Sequence, residues 1–585
     1  MATPQRRSAV TASIAAPIGG WNARDSVAEM NPLDAVQLVN WFPTPSDVTL
    51  RKGYSKFSTG MTGQLNSLMN YSSPTTQKMF GAVGSKIYDT TSSTAVEVFS
   101  GLSNDKWQSV NISTAGGNFL VACNGADPVI VYNGTYWFKI ATTSTGATIN
   151  TITHVGTTAT LTTATAHNLI TGNQVTISGA SPSEYNGTFK ITVTGANTFT
   201  YVMSSTPATN ATVVGSYIPT GITGADSSTF VNVNLYKNRL WFTQKDTLKI
   251  WYLPVNQLAG AASDINFGGI ARNGGYLQAM GTWTIDAGEG VDDYAAFVTN
   301  MGECIVYTGT DPTSPSTWAL KGVWQLGQTF TRRCFFKWAG DLLLLTQDGL
   351  VPMASALQSS RLDPRVNLTD KIFYAISVAA DLYSTNFGWE IAYFAKQNML
   401  IINVPTNDGP QQFVMHTITK AWANFTNIGA KCFTIHNDDI YFGGNGFVGK
   451  FWDTNADDEN NISATVQQAY SYFDSRGQQK RFTMVRPILQ VDNGSPAIAC
   501  GINVDFETTN VTGSITFNPA ALASGVWDTS TWDNATWSGG LVVNKTWQGV
   551  SGVGYSAGMY MTIACQDINV RWASTDYVME RGGVL

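Results

Sequence analysis

The chain has 585 residues, with 34 basic and 40 acidic side chains and a formal net charge of −6 at pH 7. Charged residues are only 13% of it, while aromatics reach 12% and glycines number 55. That balance favours many short strands joined by tight turns and a surface partly covered in an assembly, and disfavours a helical bundle. No long Lys/Arg cluster occurs, which argues against tight, sequence-specific nucleic-acid binding but not against a wall past which DNA slides.

Residues 1–20 are small and polar and read as an extended arm; their arginines are not followed by an apolar core, so no secretory signal is expected. No apolar run approaches about 18 residues, so no transmembrane helix is expected either. Across 19–57, Asn31-Pro32 opens a turn, 35–41 is apolar, Phe42-Pro43-Thr44-Pro45 breaks it, and 48–50 resumes as a strand. Residues 1–57 are taken as an arm with the first strands.

From there, apolar or β-branched runs pair across turns rich in Gly, Asn and Asp. The pairs are 78–82 with 86–89, 118–122 with 129–132, 238–242 with 248–252, 294–299 with 304–307, 341–345 with 350–353, 398–404 with 412–416, and 439–442 with 446–452. Once one insert is set aside their starts lie roughly 40 to 60 residues apart, the length of a four-stranded propeller blade. The expected fold is all-β: a β-propeller of six or seven blades over 58–144 and 218–452. An array of β-sandwiches gives the same strand signals, and no WD40 or kelch signature recurs.

The insert, 145–217, shifts to Thr, Ala, Gly and Asn with almost no charge. It carries His167, Leu169, Gly172, Val175, Ile177, Ser178 and Gly179, then Tyr185, Asn186, Gly187 and Phe189, then Phe199, Thr200 and Tyr201. This pattern resembles the small β-barrel insert of phage structural proteins. Further on, 370–382 places Ile372, Phe373, Ile376, Ala379 and Ala380 at helical spacing, as for a packing or interface helix. The acidic stretch 453–461 reads as a solvated linker opening a C-terminal β-rich platform domain, 453–585. In that domain Trp527, Trp532 and Trp537 recur every five residues, as packing or as a stacking surface for sugar rings.

Chemistry is sparse. The four histidines, His154, His167, His416 and His436, have no partner at metal-ligand spacing. The six cysteines, Cys123, Cys304, Cys334, Cys432, Cys500 and Cys565, form no CxxC and read as buried free thiols. No Walker A, GxSxG or HExxH motif occurs. The acidic cluster Asp286, Glu289, Asp292 and Asp293 fits turn caps better than a carboxylate pair acting on sugars. Asp453, Asp457, Asp458 and Glu459 lack the oxygen spacing of an EF-hand. Arg332-Arg333 and Lys480-Arg481 are pairs suited to salt bridges between subunits. No catalytic, cofactor-binding or metal residue is assigned, no cofactor is expected, and the chain reads as a non-enzyme.

Several motifs resemble the tail nozzle proteins of short-tailed bacteriophages, also called tail tubular protein B or packaged-DNA stabilisation proteins. They are Gly20-Trp21-Asn22-Ala23-Arg24-Asp25, Asn40-Trp41-Phe42-Pro43 and Arg51-Lys52-Gly53-Tyr54. They continue with Gly281-Thr282-Trp283-Thr284, Gly288-Glu289-Gly290 and Val306-Tyr307-Thr308-Gly309-Thr310-Asp311-Pro312. The spaced tryptophans and Glu580-Arg581-Gly582-Gly583 complete the set. The resemblance implies a virion protein made in the host cytoplasm: a hexameric ring below the portal and adaptor. It implies a channel that retains DNA and passes it without sequence-specific binding, and side contacts to tail fibres or spikes. The alternative is a receptor-binding or glycan-cleaving propeller of the tail.

Overall fold

A computed structural model describes residues 9–284, 294–338, 340–358, 364–492, 495–508, 513–515, 542–544 and 546–584. The chain divides into two compact units, 58–363 and 1–57 with 364–585.

Unit 58–363 is a succession of antiparallel meanders. Four have four strands and the fifth has three. The first comprises Ser67–Ser72, Gln77–Val83, Lys86–Asp89 and Val96–Ser100; the second runs from Gln108–Thr114 to Trp137–Lys139. The third runs from Phe230–Tyr236 to Ser263–Asn266, the fourth from Leu277–Trp283 to Trp318–Gln325, and the three-stranded sheet from Phe335–Trp338 to Gly349–Pro352. Burial follows the residue pattern. Ala295, Phe297, Ile305 and Tyr307 pack with Trp241 and Trp318 in one cluster, whereas Phe80, Ile87, Leu120, Tyr132 and Trp137 fill another. Gly302 makes the turn between the two central strands of the fourth meander at φ +82°, and a Cβ there would meet the Leu326 carbonyl at 2.4 Å, so the position requires glycine.

Between the second and third meanders, the insert folds on its own core. Ile149–Val155, Thr158–Thr163, Thr198–Val202 and Thr192–Gly195 form one sheet; Gly187–Lys190, Gln174–Ser181 and Val213–Pro219 form the other. Leu161, Val175, Ile177, Tyr185, Phe199 and Tyr201 lie between them. The ends of the insert lie side by side: the Ala141 N–H donates to Thr220 O and the Ile222 N–H to Ala141 O, both at 2.9 Å.

The other unit holds two further meanders. Glu390–Phe394, Met399–Val404, Gln411–His416 and Ala421–Phe425 form one; Phe433–His436, Asp439–Gly443 and Asn445–Phe451 form the other, joined at its edge by the strand that begins at Tyr54. The chain is thus all-β and of the β-propeller type, seven meanders in all among the described residues.

The first of these meanders extends through Asp34–Val39, Ile462–Gln468, Ala557–Cys565 and Ala497–Val504 into a ten-stranded sheet. A seven-stranded sheet built on Gln478–Val491 and Val570–Val584 packs with it, sharing Leu38, Trp41, Val466, Met561, Val485 and Trp572 in one core. The units divide at Phe57 and Pro364, whereas the sequence places a boundary at 453. The early strands explain this: Asp34–Val39 pairs with both Ala421–Phe425 and Ile462–Gln468, tying the 390s to the C-terminal part. The expected arm likewise contains a strand, Ala9–Ala15, paired along Val570–Val584.

Helical spacing at 370–382 corresponds to a 3-10 turn, Asp370–Ile372, running into the helix Phe373–Tyr383. Ile376, Ala379 and Ala380 are buried, and no helix among the described residues is long and apolar enough to cross a membrane.

Candidate functional site

The acidic cluster Asp286, Glu289, Asp292 and Asp293 and the tryptophans Trp527, Trp532 and Trp537 lie outside the described residues. The histidines are scattered. His154 Nδ1 lies 3.0 Å from Tyr185 Oη; His167 Nδ1 accepts the Leu169 N–H at 3.0 Å while Nε2 faces Gly195 O at 3.1 Å. Burial lowers the pKa of His416 and His436. No three His, Cys, Asp or Glu side chains converge as a metal site among the described residues. All six cysteines are buried and unbridged, and burial pushes the thiols of Cys123, Cys304, Cys500 and Cys565 up to about 12, far from a reactive thiolate.

Of the basic pairs expected to link subunits, Arg332, Arg333 and Lys480 are engaged within their own chain, whereas Arg481 is exposed and lies 3.9 Å from Glu580. Arg333 Nη2 donates to Ser67 Oγ and Trp107 O, both at 3.1 Å, and Arg332 Nη1 to Asn124 O at 3.4 Å. Lys480 is fully buried and donates to the carbonyls of Ser475, Gln478 and Tyr555 at 2.5–2.9 Å. Arg332, Arg333 and Lys480 thus exchange hydration for oxygens of their own chain.

The N-terminal motifs form an interlocked polar frame. Asn22 Nδ2 donates to Asp25 Oδ2 (2.9 Å) and Asp34 Oδ2 (2.8 Å), and Lys371 Nζ donates to Asp34 Oδ1 (2.8 Å) and Gly19 O (3.0 Å). Arg24 pairs with Asp25 (2.7 Å) and with Asp370. Asp25 is held below the ordinary carboxylate range by its bonds from Arg24 and Asn22. The frame thus fastens 19–34 to the start of the helix region.

A second frame lies in the core. Arg51 is buried and grips Asp457 through two bonds, Nη1 to Oδ1 at 2.8 Å and Nη2 to Oδ2 at 2.6 Å. Its Nε donates to Asn40 Oδ1 (2.8 Å) and Nη2 also to Thr426 O (2.9 Å). Gly53 is required beside it, because a Cβ would sit 1.8 Å from Ala456 O. Residues 453–461 are therefore not a solvated linker: Asp457 is the buried counter-ion of Arg51, 406 residues away in sequence. The pairing has no local signal; only the shared presence of Arg51 and an acidic run hints at it.

Arg51 faces inward and its neighbour Lys52 faces out, into a pocket of about 350 Å³. Arg571 enters the same pocket from Val570–Val584, opposite Thr49, while Trp572 points to the core. Lys396 also lines it but is paired with Asp439 at 2.7 Å. The one acidic lining residue, Asp47, accepts Thr44 Oγ1 at 2.6 Å.

Two other clefts are self-contained. In one, of about 600 Å³, Arg476 lies over the Tyr472 ring (4.6 Å) and pairs with Glu29 (2.8 Å). In the other, of about 360 Å³ beside the inserted module, Lys190 lies 4.7 Å over Phe99 and Lys139 donates to Gly101 O at 3.0 Å.

No family model matches the chain. No curated protein matches it either. Among solved structures it is similar to Sqt1 of Saccharomyces cerevisiae, at 10% identity and a TM-score of 0.26, over 72% of this chain and 96% of that one. It is also similar to a putative 6-phosphogluconolactonase of Bacteroides fragilis, at 11% identity and a TM-score of 0.30, over 69% and 91%. The second bears on the expectation of a non-enzyme. That protein is described as an enzyme, so the expectation is withdrawn, while so distant a likeness supports no particular activity here.

Proposed function

We propose that the chain is a structural protein of a bacteriophage virion. In this reading it is the tail nozzle: a hexameric ring below portal and adaptor that retains packaged DNA, passes it at ejection and meets tail fibres at its side. The observation that carries the reading is the set of motifs from Gly20 to Tyr54. Arg24 and Asp25 lock 19–34 to the helix region, and Arg51 and Gly53 lock 40–54 to 454–457. Residues in such roles build a rigid part, as a ring component needs.

The helix Phe373–Tyr383 supports assembly. Tyr374, Val378 and Leu382, spaced by four, are 59%, 55% and 63% exposed, an apolar stripe suited to cover by a neighbouring copy. Scarce charge suits a chain that buries surface in this way.

The test is native mass spectrometry and negative-stain imaging of the purified chain with its adaptor. Six copies around a channel are expected. A chain that stays monomeric with the adaptor and in the assembled particle refutes the reading.

A further inference from the structure

We propose that the pocket beside Lys52 binds a sugar acid, a monosaccharide unit bearing a carboxylate, and this stands apart from the nozzle reading. Lys52 and Arg571 are exposed, reach one concavity from two strands' ends, and have no acidic group within ion-pair distance among the described residues. Lys396 is occupied by Asp439, so Lys52 and Arg571 face the single carboxylate of Asp47, which accepts the Thr44 hydroxyl, and the lining keeps an excess of positive charge in a chain whose net charge is −6. Cations converging on a concave site favour an anion there.

The rest of the lining selects the kind of anion. Trp452 is half-buried, stacked on Phe425 at 6.3 Å and edge-on to Phe42 at 5.5 Å, and it lines the pocket as apolar surface against which a pyranose can pack. The side-chain amides of Gln397, Asn398 and Asn569 make no hydrogen bond to other described residues and border the same space. Three free amides with donor and acceptor capacity suit a ring of hydroxyls. A volume of about 350 Å³ is at the scale of a small-molecule site and exceeds the need of a bare phosphate. Lys52 and Arg571 hold the carboxylate, Arg571 through its planar fork.

The experiment is ligand-observed saturation-transfer NMR on the full chain with D-glucuronate, D-glucose and inorganic phosphate as separate probes. Glucuronate binding with a Kd at least tenfold lower than that for glucose is expected, together with a loss of at least tenfold in Arg571→Gln and Lys52→Gln. Lys52→Arg should restore binding to within about threefold, because charge rather than shape is needed at that position. Both residues are exposed, and an unchanged melting transition in each variant confirms that the fold is intact. Equal binding of glucose, equal affinity for phosphate, or wild-type affinity in both Gln variants each overturns the proposal.

Discussion

Arg51→Met tests whether the core frame is what joins the early strands to the C-terminal sheets. Methionine matches the length of the arginine stem but leaves the Asp457 carboxylate, itself buried, without its two charged donors. Asn40 Oδ1 and Thr426 O lose a donor at the same time. Breaking one side of a buried pair costs about 3–5 kcal/mol, because the orphaned charge stays desolvated. The double variant Arg51→Met with Asp457→Leu removes that charge as well and should recover at least about 2 kcal/mol of the loss, since coupled neighbours are not additive. Hydrogen exchange read on peptides spanning Asp34–Val39 and Ile462–Gln468 reports the opening free energy of this unit directly. A single-variant loss under about 1 kcal/mol, or a double variant no better than the single, would show that the frame is incidental.

Two other expectations follow from the same geometry. Replacing 145–217 by a short Gly-Ser link removes three hydrogen bonds to the second meander: Lys139 N–H to Gly172 O, Asn173 Nδ2 to Lys139 O and Gln174 Nε2 to Tyr136 Oη. The unit should lose about 2–4 kcal/mol and keep a cooperative calorimetric transition, and disappearance of that transition would mean the module is integral. His416 and His436 are both held below the ordinary 6.5 by burial, so the unfolded chain binds more protons as pH falls through that value. The unfolding midpoint should fall between about pH 7 and pH 5, more shallowly in His416→Gln with His436→Gln; an unchanged profile in the double variant contradicts the assignment.

Local patterns were legible wherever the physics is local. The turn at Gly84 closes Gln77–Val83 on Lys86–Asp89, with Val83 opposite Lys86, as the flanking apolar runs imply. Asn300 and Gly302 do the same for Tyr294–Thr299, and all six thiols lie buried. Pairings at long range were not legible. Nothing near Arg51 announces Asp457, and an acidic run in a polar setting looks solvated until a buried guanidinium is placed beside it. The inward bonds of Lys480 and Arg333 are hidden for a related reason: side-chain composition gives charge but not direction, and bonds to backbone carbonyls leave no trace in it. The pocket was equally hidden, because Lys52 and Arg571 stand at opposite ends of the chain and meet only through the Thr49–Arg571 register.

The inserted module hangs from one doorway. Its entering and leaving strands stand shoulder to shoulder at Ala141 and Ile222, so the host strands keep their register whatever the length beyond, while Gly172, Asn173 and Gln174 add bonds to 136–139 that a substitute would forgo. Any small β-domain whose ends are equally close can be transplanted there as a cassette without re-registering a host strand. That is a site where lineages can trade outer decorations, and where an engineer can mount a foreign one.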